Sequence, residues 1–172
     1  MALLCALLLA PACSGGDADE ATPEVYADPF AYCAAVGDID APDARYTGEA
    51  LPLAIVEGIR TATGASADAP LGFFERGTSW RCMGGAVYAC TVGANLPCEA
   101  KADTSETPSA AMVEFCAGNA GAEVIPAAVT GRETVYAWRC EGATPAIERQ
   151  VMQVDARGFL AEIWYRLDAP GD

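Results

Sequence analysis

Three stretches of the chain carry helix signals. Residues 28–37 open with Asp-Pro, in which Asp caps the N-terminus and Pro takes the first helical position, and they close with Gly37. Residues 52–63 place apolar side chains on one helical face and precede Gly64. Residues 107–116 repeat the start signal as Thr-Pro. In the second and third helices the predicted buried positions are Leu53, Ile55, Val56, Ile59, Ala111, Met112, Phe115 and Cys116.

Five other stretches predict β-strands. Apolar residues follow a strand-like pattern over residues 79–82, 86–92, 134–140, 146–154 and 159–167. Met83-Gly84-Gly85 predicts a three-residue hairpin loop between the first two strands, and residues 155–158 predict a tight turn that joins the last two. Residues 124–130 are interrupted by Pro126 and can form an edge strand at most.

These elements together predict an α+β domain. We expect an antiparallel sheet of about five strands, with three short helices packed on it. The aromatic residues that we expect to form its core are Trp80, Tyr88, Tyr136, Trp138, Phe159 and Trp164.

The first twelve residues form a short apolar segment. A bilayer span takes about 20 residues, so this segment is typical of a secretory signal instead. Cys13 follows Ala10-Pro11-Ala12 and precedes Ser14-Gly15-Gly16. This arrangement resembles the lipobox of bacterial lipoproteins, in which the cysteine becomes the lipidated first residue of the mature chain. The resemblance implies a palmitate-type anchor on Cys13 and, because Ser14 rather than Asp follows it, an outer-membrane location; cleavage without lipidation is the alternative.

The segment that follows Cys13 has the composition of a tether. Residues 14–27 are rich in Gly, Asp, Glu, Ala and Pro and have little to bury, which predicts disorder. We therefore divide the chain into a signal peptide at 1–12, a lipidated cysteine with its linker at 13–27, and a single domain at 28–172.

Composition excludes several function classes. The 172 residues include no His, so a Ser-His-Asp triad, a Cys-His dyad and an HExxH zinc helix are all excluded. The net charge of -14 argues against nucleic acid as a partner, because phosphate binding needs clustered Lys and Arg. Lys101 is the only lysine, and no GxSxG motif is present. We therefore assign no catalytic residue and expect no cofactor.

Cysteines predict the covalent framework. Cys5 belongs to the signal and Cys13 to the lipid site, and the remaining six are Cys33, Cys82, Cys90, Cys98, Cys116 and Cys140. An even number in an exported domain predicts three disulfides. A zinc site is the competing interpretation, but the sequence has neither a CxxC pair nor a histidine.

An internal near-repeat narrows the pairing. Trp80-Arg81-Cys82 is matched by Trp138-Arg139-Cys140, and Tyr32-Cys33-Ala34 by Phe115-Cys116-Ala117. If each half joins its own helix to its own strand, the pairs are Cys33–Cys82, Cys116–Cys140 and, by default, Cys90–Cys98. The alternative is a Cys98–Cys116 bond, which would leave Cys90 to one of the other three.

One loop concentrates acidic residues. Asp38, Asp40 and Asp43 lie within six residues and supply the oxygen ligands that calcium prefers. Glu49 is at the twelfth position from Asp38, but the central Gly of an EF-hand is missing. We therefore interpret the segment as a solvated loop whose aspartates cap turns and pair with Arg45, and we expect no metal.

The same loop contains a short motif. Ala44-Arg45-Tyr46-Thr47-Gly48 resembles the ARY-type motif of bacterial lysozyme inhibitors, which are small disulfide-bonded periplasmic lipoproteins built as β-barrels. The resemblance implies binding of a basic protein through Arg45 and Tyr46. The wider stretches FAYCAAVGDIDAPDARYTG and SWRCMGGAVYACTVGANLPC resemble small exported bacterial proteins, which implies the compartment and no activity.

Two arginines lie beside the repeated cysteines. Arg81 and Arg139 alternate away from Trp and Cys along their strands, so we expect them to face water or to pair with Glu. Matched arginines on two neighbouring strands would also form an anion site.

The sequence therefore favours a non-enzymatic envelope lipoprotein that binds a protein or a small ligand and is held to the membrane by its lipid. The alternatives are the inhibitor-like function and a His-free enzyme. Such an enzyme requires two carboxyl groups about 5–10 Å apart in a deep cleft.

Overall fold

A computed structural model describes residues 24–91 and 98–171 of the chain. Their helices are α1 (Pro29–Val36), α2 (Leu53–Ala62), α3 (Leu71–Glu75), α4 (Ala110–Gly118) and α5 (Ala127–Thr130). Their strands are β1 (Thr78–Met83), β2 (Ala86–Thr91), β3 (Tyr136–Glu141), β4 (Thr144–Gln150) and β5 (Tyr165–Leu167), with a 3-10 turn at Ala161–Ile163. No helix in these two ranges is long and apolar enough to cross a membrane.

The predicted α+β class with antiparallel pairing is confirmed, but the arrangement of the strands is not. The described strands form two sheets, one of three strands in the order β1-β2-β5 and one of two strands, β3-β4. The single sheet of about five strands is therefore wrong. The described residues also contain five α-helices and not three.

Capping residues explain the helices that the sequence predicts. The Asp28 carboxylate accepts a hydrogen bond from the Ala31 backbone N–H at 2.7 Å, and Gly37 ends α1 with a φ of 76° that favours glycine. At α4 the N-cap is Ser109, whose hydroxyl accepts from the Met112 N–H at 3.3 Å. The first helix therefore begins at the predicted residue, and α4 begins two residues after its predicted start.

Two short helices were not predicted. Pro70 and Pro126 are the N-cap residues of α3 and α5, so each proline starts a helical turn. The edge strand predicted for residues 124–130 is therefore wrong. The chain just before α5 does contact β3, because the Ile125 N–H donates to the Trp138 carbonyl at 2.8 Å.

The first hairpin has a shorter loop than predicted. Met83 pairs with Ala86, so the turn consists of Gly84 and Gly85 alone, both with positive φ. In this register Cys82 lies opposite Val87, and Cys90 lies opposite Ser79. Because side chains alternate along a strand, Cys82 and Cys90 point to opposite faces of the sheet.

Both faces of the three-stranded sheet are covered. Trp80 and Cys82 pack on one face with buried side chains of α1 and α2. Cys90 packs on the other face with Phe159 and Trp164, which belong to the segment before β5. The sheet is thus the middle layer of the fold, and the centre of β1, at Trp80, Arg81 and Cys82, is enclosed on both faces.

The two-stranded sheet has one covered face. Trp138 and Cys140 of β3 pack against Met112 and Cys116 of α4, whereas Arg139 between them is exposed. This sheet is half-buried, which is the common arrangement for an antiparallel pair.

The C-terminal hairpin differs from the prediction. The turn at residues 155–158 forms, with the Gly158 N–H donating to the Asp155 carbonyl at 3.0 Å. Its arms, however, share only the isolated bridge between Val154 and Leu160. The preceding strand, β4, pairs with β3, and the final strand, β5, pairs with β2 in the other sheet.

Three disulfides join these layers, with the pairing that the near-repeat predicts. They are Cys33–Cys82, Cys90–Cys98 and Cys116–Cys140, with Cα atoms 5.1, 5.7 and 5.5 Å apart. The first joins α1 to β1 and the last joins α4 to β3. Each restricts the unfolded chain and contributes about 2–4 kcal/mol to stability. Three disulfides are consistent with an extracytoplasmic location.

Ordered contacts begin before the predicted domain boundary at Asp28. The Tyr26 N–H donates to the Arg45 carbonyl, and the Thr47 N–H donates to the Tyr26 carbonyl, both at 2.8 Å. Tyr26 therefore belongs to the fold, although the sequence analysis placed it in the linker. The predicted signal segment and Cys13 lie outside the described residues.

Candidate functional site

Arg81 is the one charged residue that is fully buried among the described residues. It lies on the sheet face opposite Trp80, where its guanidinium carbon is 4.2 Å from the ring centroids of both Phe159 and Trp164. Its Nη2 donates to the Asp155 carboxylate. The expectation that Arg81 faces water is therefore wrong, because the second face of its sheet is covered by residues 155–164.

Asp155 neutralises this buried charge from within a turn. Its side chain is only 6% exposed, and its Oδ1 accepts from the backbone N–H groups of Arg157 at 2.8 Å and Phe159 at 3.1 Å. Burial alone would raise the pKa of Asp155, but these backbone hydrogen bonds and Arg81 together lower it below its ordinary value. Asp155 therefore stays ionised and holds both the turn and the arginine.

The pair leaves part of the guanidinium without a hydrogen bond. Arg81 Nε and Nη1 are buried and have no hydrogen-bond partner within the described ranges. The two aromatic rings provide cation–π attraction of about 1–2 kcal/mol each at a desolvated site. Arg81 consequently fixes the positions of Phe159 and Trp164.

A second charge cluster also contacts the Phe159 ring. Asp40 accepts from Lys101 Nζ at 2.6 Å and from Arg157 Nε at 2.9 Å. Lys101 Nζ also donates to the Arg157 carbonyl at 2.6 Å and lies 3.6 Å from the Phe159 ring centroid. Partial burial raises the pKa of Asp40, but the two cations outweigh it and the net pKa is lowered. Asp40 is therefore ionised at neutral pH.

A cavity of about 460 Å³ opens beside the second charge cluster and Phe159. Its lining residues include Trp80 of the edge strand β1, the aromatic residues Phe159 and Trp164, and the charged residues Asp40, Glu99 and Lys101. The Glu99 carboxylate accepts from the Ser79 hydroxyl at 3.2 Å. The Trp164 indole N–H is buried and has no partner in the described part of the chain. Apolar walls with a few charged groups are typical of small-ligand sites.

The three aspartates of the acidic loop have three separate partners. Asp38 accepts from the Gly84 backbone N–H at 2.7 Å, and Asp43 pairs with Arg45 at 2.6 Å, whereas Asp40 belongs to the cluster above. The hydrogen bonds from Arg45 lower the pKa of Asp43 to about 2. No group of His, Cys, Asp and Glu side chains in residues 24–91 and 98–171 could hold a metal ion. The aspartates of this loop therefore stabilise turns and form ion pairs.

Tyr46 belongs to an aromatic cluster beneath the loop. Its ring centroid is 5.4 Å from that of Tyr32 and 4.9 Å from that of Trp80. Neighbouring Arg45 is exposed and pairs with Asp43. The fold around the ARY-type motif is α+β, whereas the inhibitor family that it resembles is a β-barrel.

Arg139 behaves as expected, but it forms no joint site with Arg81. It is exposed on β3 and pairs with Glu141 on the same strand. Arg81 lies in the other sheet and on a covered face. The two arginines therefore do not form an anion site.

The sequence reasoning missed most of the residues that surround the cavity. Glu99 and Lys101 received no role from the sequence, which predicted only a tight turn for the segment that contains Asp155 and Arg157. The one available signal was Lys101 itself, since a single lysine in an acidic chain is unusual.

Comparison of the chain with models of protein families, with curated proteins and with solved structures finds no match. The site is therefore interpreted from its own geometry.

We expect Asp155→Asn to destabilise the protein by about 3–5 kcal/mol, because it leaves the buried Arg81 charge unpaired. The matched control is Glu141→Gln, which removes the partner of the equivalent arginine of the near-repeat. That pair is exposed, so its loss costs at most about 1 kcal/mol. Chemical denaturation with the disulfides intact measures both, and equal losses would contradict the assignment.

The stability difference between wild type and Asp155→Asn should depend on pH. The folded-state pKa of Asp155 is lower than its unfolded-state pKa of 3.8. The ionised carboxylate therefore makes its full contribution to folding stability above pH 3.8, and this contribution is lost as the pH falls through the folded-state pKa. The difference in the free energy of unfolding between wild type and Asp155→Asn should therefore shrink as the pH falls below 3.8. A difference that is constant across this range would contradict the role given to the ionised carboxylate.

Proposed function

We propose that this protein is a lipid-anchored binding module of the bacterial cell envelope, and that its ligand site is the cavity beside Phe159. The observation that carries the proposal is the lining of this cavity. Aromatic rings fixed by a buried ion pair adjoin ionised side chains that reach solvent. Such a preorganised site loses little conformational freedom when a ligand binds.

Two observations support the lipid anchor: one from the N-terminal sequence and one from the disulfides of the domain. The lipobox-like segment ends at Cys13, and the domain carries three disulfides, as extracytoplasmic proteins commonly do. In the proposal, the linker leaves the domain free to meet its ligand at the outer membrane.

The alternative, a His-free enzyme, has one observation in its favour. Asp40 and Glu99 line the same cavity, and two carboxylates in a cavity are the arrangement that such an enzyme needs. A general acid, however, has to keep its proton near neutral pH, which takes a raised pKa. The pKa of Asp40 is lowered instead. Both oxygens of Asp40 are also held by the cations Lys101 and Arg157, so Asp40 is unsuited to be the general acid, and the proposal is one of binding.

The first test concerns the anchor. We expect cells that produce the wild-type chain to incorporate a fatty-acid analogue into this protein, and cells that produce Cys13→Ser to give no label. The substitution replaces only the sulfur atom of the side chain by oxygen, so a folded but unlabelled variant isolates the acylation site. Equal labelling of both proteins would refute the anchor.

The second test concerns the cavity. Ala41 is an exposed residue of the lining, so Ala41→Leu adds bulk at the cavity without replacing a buried residue. The control is Ala54→Leu, the same change in a different groove between α2 and β5. We expect small organic fragments to shift the indole N–H signal of Trp164 and not that of Trp138, which lies in another core.

In this screen Ala41→Leu should weaken the fragment-induced shifts at least tenfold, and Ala54→Leu should leave them unchanged. The measurement is a two-dimensional NMR titration of the oxidised protein with selectively labelled tryptophan. If no fragment shifts Trp164, or if Ala41→Leu has no effect on the shifts, the cavity is not the ligand site.

A further inference from the structure

The ammonium group of Lys101 occupies a small receptor built by other parts of the chain. Its Nζ donates to Asp40 Oδ2 and to the Arg157 carbonyl, both at 2.6 Å, and it lies 3.6 Å from the Phe159 ring centroid. A primary ammonium has three N–H donors. Two acceptors and one aromatic ring therefore match what a primary ammonium group can use.

The receptor is held independently of its occupant. Asp40 is also bound by Arg157 Nε at 2.9 Å, and Phe159 lies against the buried Arg81. The Arg157 carbonyl belongs to the turn that Asp155 closes through its own hydrogen bonds. Removing the lysine ammonium would therefore leave the acceptors and the ring in place.

The occupant is held much less firmly. The Lys101 side chain is 50% exposed, and an exposed ion pair contributes at most about 1 kcal/mol because water screens it and the long side chain loses rotamer freedom. Turning into solvent would cost Lys101 this exposed ion pair, its hydrogen bond to the Arg157 carbonyl and its contact with the Phe159 ring, but would leave Asp40 paired with Arg157. An ammonium group from outside could then take its place.

We propose that Asp40, the Arg157 carbonyl and Phe159 form a binding site for a primary ammonium group, and that Lys101 is an internal occupant which the ligand displaces. This inference rests on the proposed function of the cavity and adds the class of ligand. The ligand is a small primary amine, whose apolar body occupies the adjoining space of about 460 Å³ beside Phe159 and Trp164.

Two further observations favour this class. The net charge of -14 draws cations toward the protein and lowers the local concentration of anions. The Glu99 carboxylate in the same cavity accepts one hydrogen bond from Ser79 and has room on its oxygens for another donor. A quaternary ammonium is excluded, because it has no N–H for Asp40 and the carbonyl.

The test removes the internal occupant. We expect Lys101→Ala to bind n-butylammonium at least tenfold more tightly than wild type, measured by the shift of the Trp164 indole signal at constant ionic strength. The matched control is Arg149→Ala, which deletes another exposed cation far from this cavity. Its affinity for n-butylammonium should equal that of wild type. Lys101→Met, which keeps most of the aliphatic stem, is the second variant if Lys101→Ala fails to fold.

Two other probes define the chemistry. Tetramethylammonium tests the need for N–H donors, and n-butanol tests the need for charge, and both should bind Lys101→Ala at least tenfold more weakly than n-butylammonium. In the double variant Lys101→Ala, Asp40→Asn, n-butylammonium should no longer bind more tightly than n-butanol. Equal affinity of wild type and Lys101→Ala for the amine, or tetramethylammonium binding as well as n-butylammonium, would overturn the inference.

The outcomes also separate this inference from the proposed function. If n-butanol binds as tightly as n-butylammonium, the cavity is a ligand site but not an ammonium site. If none of the three probes shifts Trp164, the ammonium site is refuted, and the fragment screen with Ala41→Leu decides the fate of the cavity on its own.

Discussion

A guanidinium group that has no contact with solvent must be neutralised where it lies, and Asp155 does this for Arg81. The charge lies on a strand whose two sheet faces are both covered, so it cannot reach water by changing rotamer. Desolvating an unpaired ion costs several kcal/mol, which makes the position of Asp155 a requirement of the fold. The turn at residues 155–158 is thereby tied to β1.

This constraint extends to the surface through Phe159. The ring contacts Arg81 and Lys101, one of them a buried cation and the other half exposed. The Ala102 N–H donates to the Gly158 carbonyl at 2.9 Å, which holds the loop of Lys101 against the same turn. The Cys90–Cys98 disulfide fixes the start of that loop to β2. The core around Phe159, the turn at residues 155–158 and the cavity are thus connected by direct contacts. The buried Arg81–Asp155 pair holds this part of the candidate site in place.

Local signals in the sequence were sufficient for the helix starts and for the disulfides. Asp28 and Pro29 predict a cap whose chemistry is complete within four residues, and the repeated cysteines predict a helix-to-strand pairing in each half. The near-repeat fails at the arginines. Trp-Arg-Cys has the same alternation in both strands, yet Arg81 is buried and Arg139 is exposed.

The reason is that alternation shows which face a side chain takes and not whether that face is covered. Coverage depends on contacts between distant segments: β5 pairs with β2, and residues 155–164 fold over the second face of the sheet. The sequence favoured a local hairpin for these residues instead, and so placed Arg81 in water and left Lys101 without a role. The cavity is assembled from four distant segments, so no single motif could predict it.

The position of the Arg81 guanidinium tests the account most directly, and NMR of its Nε–H group measures it. The Nε–H of an exposed arginine exchanges quickly with water, whereas a buried one is protected. If Arg81 is buried against the two rings, its Nε–H signal exchanges slowly and is shifted upfield by ring currents. It also shows nuclear Overhauser contacts to ring protons of Phe159 and Trp164. The signal disappears in Arg81→Lys. A rapidly exchanging signal at the position of an unstructured arginine, with no contact to either ring, would contradict the account.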